Sequence, residues 1–393
     1  MKKLLVIILC ALMLTFAVTG CANDTENDYD PNDYNDYDPT ERRGESAENW
    51  GDDNGATNGS DTGGCHFFDF EHAFAAFPPD TVMLRVEDLT ITWEELFFGM
   101  YGTIQAVLAN RGGVIDWSEI LFDDVTMAQA ILDNAVENLL EFKALEFAGT
   151  RLGMSYEIVR DSVRDEFEAL IEEHETEDAV WEMLWHNAGI RSREVLDFVI
   201  GTRFMVPYIF EEMFGEDGAS LPDEDIEAFF AEHGEEFLMA KHILFSLMNE
   251  ETADTAAERA EEILQRLMAF DGDDFEAFFD ELMFTYSEDP GSFNFPQGYI
   301  FQFHEMVPEF SSAVVELEVG EFSQIVESSF GYHIILRIPL NFNVAPMGSQ
   351  FSVRSIAAQE MFAHDVFGRI SGFNIERTAE FYSIVLEDIF IPC

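Results

Sequence analysis

Basic residues are what this 393-residue chain has least of for its size: 20 Lys and Arg stand against 78 Asp and Glu, a formal net charge of −58. Binding to phosphates is driven by clustered Lys and Arg, so nucleic acid is excluded as a partner and unaided docking on an anionic bilayer is disfavoured. Cysteine is also scarce, at four residues. What is present is apolar: 47% hydrophobic and 14% aromatic residues suffice for real cores, and the length suggests two or three domains. The 39 Phe are read first as core packing.

The amino terminus reads as an address. Lys2 and Lys3 precede an apolar run from Leu4 to Leu14 that continues to Val18 and ends at Thr19-Gly20-Cys21, the pattern of a signal peptide over residues 1–20. Val18-Thr19-Gly20-Cys21 resembles the lipobox of bacterial lipoproteins, which implies cleavage before Cys21 and diacylation of its sulfur; an ordinary secretory signal is the alternative. Cleavage there removes Lys2 and Lys3 and takes the net charge to −60. Two acyl chains suffice for stable anchoring, so the lipid would hold at a membrane a protein whose own charges avoid it. Cys10 leaves with the signal, and Cys65 and Cys393 remain as a pair that a disulfide could join outside the cytoplasm.

Between Ala22 and Gly64 lie 13 acidic residues, 2 Arg and no Leu, Ile, Val or Phe, too little apolar surface to order a core. The Asn-Asp-Tyr repeats there lack the turn Gly and closing Glu of an EF-hand loop, so they read as solvated chain and not as a calcium site. Residues 21–79 are therefore expected to be a disordered acidic tether. As a flexible coil, its Ala22–Gly64 stretch has a root-mean-square span of roughly 36 Å.

Beyond it, Thr81 to Thr92 predicts a strand pair turning at Glu87-Asp88, and Thr92-Trp93-Glu94-Glu95 predicts a capping box. Ile131, Ala135, Leu139, Phe142, Leu145 and Ala148 recur at helical spacing, and further helices are expected over 156–173, 179–188, from Ser192 towards Phe214, and over 223–233. This region, 80–236, should be helical after its first hairpin. Residues 237–339 change character: a strand at Ala240–Phe245, helices over 252–270 and 274–282, a loop over 287–298, a helix from Pro308, then strands over 322–327 and 333–338. Residues 340–393 return to helix, over 351–362 and 376–386.

Six pieces of the middle region carry a resemblance. Lys241-His242-Ile243-Leu244, Ser287-Glu288-Asp289-Pro290-Gly291, Gly298-Tyr299, Glu305-Met306-Val307-Pro308-Glu309-Phe310, Val319-Gly320-Glu321 and Phe330-Gly331-Tyr332-His333-Ile334-Ile335 follow one another in the order and spacing of a parvulin-type peptidyl-prolyl isomerase domain. With the lipobox and flanking helices, the chain resembles the PrsA-like foldase lipoproteins of bacteria. Its helical part resembles the chaperone domain of trigger factor. The implied fold class is α+β and multidomain: a parvulin-type β-α-α-α-β-β domain inserted between helical chaperone-like segments.

The resemblance also implies roles. His242 and His333 take the places of two facing histidines beneath the substrate bond, Asp289 sits where the family has Cys or Asp, and Ser328 is linked to the His pair. Met306 and Phe310 form the proline pocket. X-Pro isomerisation breaks no covalent bond and needs neither metal nor cofactor; it must lower an amide-rotation barrier of about 18–20 kcal/mol. Taken singly, these residues have ordinary readings as core histidines, core apolar residues and a turn Asp. Two departures stand out. Phe295-Pro296-Gln297-Gly298-Tyr299 replaces the family's Gly-Asp-Leu-Gly run, and the loop Ser246–Glu250 lacks the Lys and Arg of phosphate-directed parvulins, so no phosphoserine preference is expected.

The implied function is a foldase at the extracytoplasmic face of the cell membrane, acting on unfolded exported proteins with X-Pro bonds. The alternative is a holdase in which the parvulin fold is scaffold and Phe97, Phe98, Met100, Phe204, Met205, Phe210, Met213 and Phe214 supply an adaptable apolar surface. A homodimer through the helical regions stays open.

Overall fold

The computed structural model describes residues 68–233 and 237–392; the expected signal peptide, Cys21, Cys65 and Cys393 lie outside them. The described strands are β1 (Val82–Val86), β2 (Leu89–Thr92), β3 (Ile120–Phe122), β4 (Val125–Thr126), β5 (Phe237–Ser246), β6 (Tyr299–Gln302), β7 (Val326–Ser328), β8 (Gly331–Arg337) and β9 (Ile375–Arg377). No helix among the described residues is long and apolar enough to cross a membrane. The chain divides into two compact units: one takes the described residues up to 139, then 169–196 and those from 374 onward; the other takes 140–168 and 197–373.

In the first unit the expected hairpin forms as β1 and β2, and β9 adds to β1 to give the antiparallel order β2-β1-β9. The helix Trp93–Asn110 starts on the expected capping box. Thr92 Oγ1 accepts from the Glu95 amide at 3.3 Å, and the Glu95 carboxylate accepts from the Thr92 amide at 2.8 Å. Trp93, Phe97 and Tyr101 of this helix are core, with Phe97 stacked on Trp185 at 5.6 Å between centroids and on Phe390 at 6.1 Å, so Phe97 and the equally buried Met100 are not part of an exposed apolar surface; Phe98 is half-buried. Order begins ahead of position 80. Phe68 bridges to Pro392 and Phe70–Phe74 is helical, because Phe68 and Phe70 are buried against Phe390. The expected terminal helix over 376–386 is instead the strand β9 followed by short helices Ala379–Tyr382 and Leu386–Ile389. A hairpin, β3–β4, interrupts the expected helical run, turning on Asp123 and Asp124 at φ +40° and +67°, a conformation that Asp tolerates better than most residues.

The second unit contains a four-stranded antiparallel sheet of order β6-β5-β8-β7. Its helices Ala256–Met268 and Phe275–Tyr286 follow β5, and Pro308–Glu316 follows β6. The observed order is β-α-α-β-α-β-β, one strand more than expected. That strand, β6, lies directly after the Gly298 turn and pairs with β5 from Ala240↔Tyr299 to Phe237↔Gln302. β5 is buried through nearly its whole length, so alternation along it sorts contacts and not exposure. Its odd positions include Lys241, whose ammonium reaches Glu276 at 2.8 Å and Asp280 at 2.7 Å on Phe275–Tyr286. Its even positions Leu238 and Ala240 join Tyr299, Phe301, Phe310, Val314 and Ile335 in one apolar cluster. His242 continues that even series.

Candidate active site

The register between β5 and β8 places the two histidines. His242 lies opposite Ile335 and His333 opposite Leu244, so the two side chains are diagonal neighbours on one face, within reach of long side chains. Their rings stack at 5.3 Å with 13° between planes, and their Nδ1 atoms are 3.1 Å apart. Gly331 makes this register accessible: its φ of +146° suits glycine, and a Cβ there would strike the Phe245 carbonyl of β5.

The loop after Phe275–Tyr286 delivers the carboxylate. The Ser287 hydroxyl accepts from the Leu244 amide at 3.1 Å, and the Glu288 amide donates to the Leu244 carbonyl at 2.8 Å. Glu288 is itself fixed by Arg259, Thr252 and the Ser246 amide. Asp289 is thereby set beside His242, with Oδ2 2.9 Å from Nε2. The same Oδ2 accepts from the Tyr299 hydroxyl at 2.5 Å, and Oδ1 accepts from the Gly291 amide at 3.1 Å. At the other end of the chain of contacts, Ser328 Oγ lies 2.7 Å from His333 Nε2 and accepts from the Phe330 amide at 3.1 Å.

The network is buried: His242 is 8% exposed, His333 3% and Ser328 8%. Burial pushes the Asp289 carboxyl up, but the hydrogen bonds from His242 and Tyr299, the charge of His242 and the Gly291 amide outweigh it and hold the group at about 2. Burial, followed by the neighbouring His242, lowers His333 to about 4 against a weaker opposing pull from Asp289. Tyr299 is raised by burial and by Asp289. At neutral pH the line is therefore an Asp289 carboxylate, His242 with its Nε2 proton directed at it, a neutral His333, and Ser328. A neutral imidazole donates from one nitrogen and accepts at the other, so with the His242 proton on Nε2 the line runs one way: His333 Nδ1 donates to His242 Nδ1, and His333 Nε2 accepts from the Ser328 hydroxyl.

The expected pocket residues flank this line. Phe310 is 3% exposed and meets His242 edge to face at 5.2 Å and His333 at 5.8 Å. Met306, half-buried, packs against the cluster that contains Phe310 and Tyr299. All six residues singled out in this domain thus converge on one face of the sheet, while Cys21 lies outside the described residues. Sequence reasoning missed Tyr299. It stands in the quoted Gly298-Tyr299 piece, yet nothing there signals that its hydroxyl reaches back to Asp289. Its ring also meets His242 at 5.5 Å and Phe295 at 5.1 Å, so Phe295 and Tyr299 build the wall where the family pattern departs. Gly291 is needed for that approach, since a Cβ there would collide with the Tyr299 hydroxyl.

Among the described residues no group of three His, Cys, Asp or Glu side chains is arranged to hold a metal ion. The arrangement offers instead an apolar surface backed by a fixed carboxylate and a line of polarisable hydrogen bonds.

Residues 242–338 match the rotamase family, the PPIC-type PPIASE domain. A foldase protein PrsA of Halalkalibacterium halodurans is 34% identical over 214 residues, covering 53% of this chain and 56% of the relative. Another, of Caldanaerobacter subterraneus, is 31% identical over 154 residues, covering 38% of this chain and 42% of the relative. The chain thus spans about half the length of these curated relatives. The crystal structure of a peptidylprolyl isomerase (PrsA) from Bacillus anthracis aligns with 60% of this chain and 94% of its own at 23% identity, with a TM-score of 0.22. Residues 242–338, which contain the histidine pair, its acidic partner and the Phe310 surface, are a PPIC-type, parvulin-class peptidyl-prolyl isomerase domain.

Proposed function

We propose that the chain is an extracytoplasmic foldase that catalyses cis–trans isomerisation of X-Pro bonds in exported proteins, held at the membrane by lipid on Cys21. The observation that carries the catalytic part is the buried line Asp289–His242–His333–Ser328 lying against Phe310 and Met306 within a PPIC-type domain.

The mechanism follows from what amide rotation requires. The planar amide is more dipolar than the twisted one, so an apolar surface that takes the prolyl ring out of water favours the twisted state. Phe310 and Met306 supply that surface. Asp289 is poorly suited to attack the carbonyl, since Oδ2 already accepts two hydrogen bonds and Oδ1 a third. Its role is to fix a negative charge and orient His242. The polarisable His242–His333–Ser328 line can then adjust its protons as the carbonyl turns, without a bond to substrate being made. Uncatalysed isomerisation takes tens of seconds or more, so catalysis matters for clients exposed to proteases. A protease-coupled assay on a proline tetrapeptide tests this: a rate well above background is expected, and a background rate from folded protein would reject it.

The holdase reading is favoured by one observation in the first unit: hairpin β3–β4 leaves Ile120 64% and Phe122 58% exposed. If it describes the main activity, changing His242 and His333 together to Ala will leave suppression of client aggregation intact.

A further inference from the structure

The loop that follows β5 touches both ends of the buried line. Its Ser246 amide donates to Glu288 Oε2 at 2.7 Å, one residue ahead of Asp289. Its Leu247 amide donates to the Phe330 carbonyl at 2.9 Å, and the Phe330 amide in turn donates to Ser328 Oγ at 3.1 Å. Adjacent residues of one loop therefore hold the carboxylate end and the hydroxyl end together.

A single carboxylate fixes this loop. Glu288 accepts four hydrogen bonds, two on each oxygen: Arg259 Nη1 at 3.0 Å and the Thr252 hydroxyl at 2.8 Å reach Oε1, and Arg259 Nη2 at 3.1 Å joins the Ser246 amide on Oε2. Arg259 comes from Ala256–Met268, lies over the Phe245 ring at 5.1 Å and also donates to the Thr252 carbonyl at 3.4 Å. Burial pushes the Glu288 carboxyl up, yet these donors hold it below its usual range, so the pair is charged at neutral pH. Stability alone is a poor account of such a fork, because desolvation of a half-buried ion pair offsets much of its attraction. Arg259 Nε, buried with no acceptor among the described residues, adds to that cost. What a bidentate fork supplies is a fixed plane and a fixed distance.

We propose that Arg259 and Glu288 are positioning residues for X-Pro isomerisation, their fork clamping the loop Ser246–Thr252 so that Asp289 and Ser328 meet His242 and His333 at hydrogen-bonding distance. They act through the two ends of the line and not on the substrate. A misplacement of about 1 Å, caused far from the chemistry, can lower a rate about a hundredfold, so a loosened clamp is enough to be seen. The kinetic effect rests on the isomerase reading; the placement of His242 does not.

Arg259→Lys keeps the charge and removes the fork. In the full chain, kcat for a proline tetrapeptide, measured by proton exchange spectroscopy well below the melting temperature, should fall about tenfold while KM stays within about twofold. The His242 Nε2 proton, directed at Asp289, should change its NMR shift in the same variant. Thr252→Val deletes one donor to Glu288 Oε1 and should lower kcat about threefold, which keeps the test open if Arg259→Lys does not fold. Arg354→Lys is the control. Arg354 forks onto Asp223 and the Leu221 carbonyl elsewhere in the same unit, so this change should lower the melting temperature and leave kcat and the His242 signal as they are. Wild-type kcat and an unmoved His242 signal in folded Arg259→Lys, or in Thr252→Val if only that variant folds, would overturn the proposal, as would an equal loss of kcat in Arg354→Lys. An inactive wild type whose His242 signal nonetheless moves in Arg259→Lys would reject the isomerase reading and uphold the clamp.

Discussion

Replacing Asp289 by Asn changes one atom and should reverse the hydrogen-bond line that runs through the site. Asp289 accepts three bonds: two at Oδ2, from His242 and Tyr299, and one at Oδ1, from Gly291. An amide has one oxygen. If it faces His242, the NH₂ group opposes the Gly291 amide, donor against donor. If it flips, the NH₂ group faces His242 Nε2, which must give up its proton, so His242 Nδ1 becomes the donor to His333 and His333 Nε2 the donor to Ser328. The stability at stake follows from the carboxyl being held at about 2 against an ordinary 3.8, which is about 2 kcal/mol. A depressed carboxyl contributes this above its unfolded pKa and loses it as pH falls through its folded one. The wild type should therefore exceed Asp289→Asn in stability by about 2 kcal/mol at neutral pH, and the gap should close between roughly pH 4 and 2. Removing the fixed charge beside the reacting amide should also lower kcat/KM for a proline tetrapeptide by about tenfold to a hundredfold. Urea unfolding of both proteins across pH and the protease-coupled assay give the two readouts. A stability gap independent of pH, or activity within about twofold of wild type, would refute the reasoning.

His333, held at about 4, should show no protonation in a histidine NMR titration from pH 8 to 5; because its folded pKa lies below the ordinary one, stability from this group is full above about 6.5 and is lost as pH falls towards 4. Tyr299→Phe deletes a donor to the Asp289 carboxylate and should cost about 2 kcal/mol by urea unfolding at neutral pH, while shrinking the stability lost between roughly pH 4 and 2, because the Asp289 carboxyl moves back towards its ordinary value. Gly331→Ala puts a Cβ against the Phe245 carbonyl at a positive φ and should cost about 3 kcal/mol and abolish isomerase activity; an active, stable variant would show that the β5–β8 register does not depend on this glycine.

Local chemistry was readable where it was self-contained. Thr92 and Glu95 announce a helix start because both partners of the capping box lie within four residues, and the structure closes that box. The histidines were found through the order of six short motifs, and the face they share follows from strand alternation once the register is known. Features that depend on distant chain were not readable. β9 pairs with β1 across nearly 300 residues, and Ile375-Glu376-Arg377 alone carries no strand signal strong enough to compete with a helical reading. β6 is four residues long and merges in sequence with the Gly298 turn. The Tyr299–Asp289 bond needs the loop, the turn and Gly291 to meet in space. The expected single helical region divides because its helices bury apolar faces in two separate cores, and one amphipathic pattern does not say which core receives it.

The most direct measurement is proton exchange spectroscopy on a proline tetrapeptide with a catalytic amount of the full chain, which observes cis–trans interconversion without a coupling protease. Exchange cross-peaks should appear with wild type on a sub-second timescale, where the free peptide takes tens of seconds, and should vanish when His242 and His333 are both changed to Ala in a protein that remains folded. Cross-peaks of equal intensity from that double variant, or none from folded wild type, would contradict the assignment of isomerisation to this histidine pair.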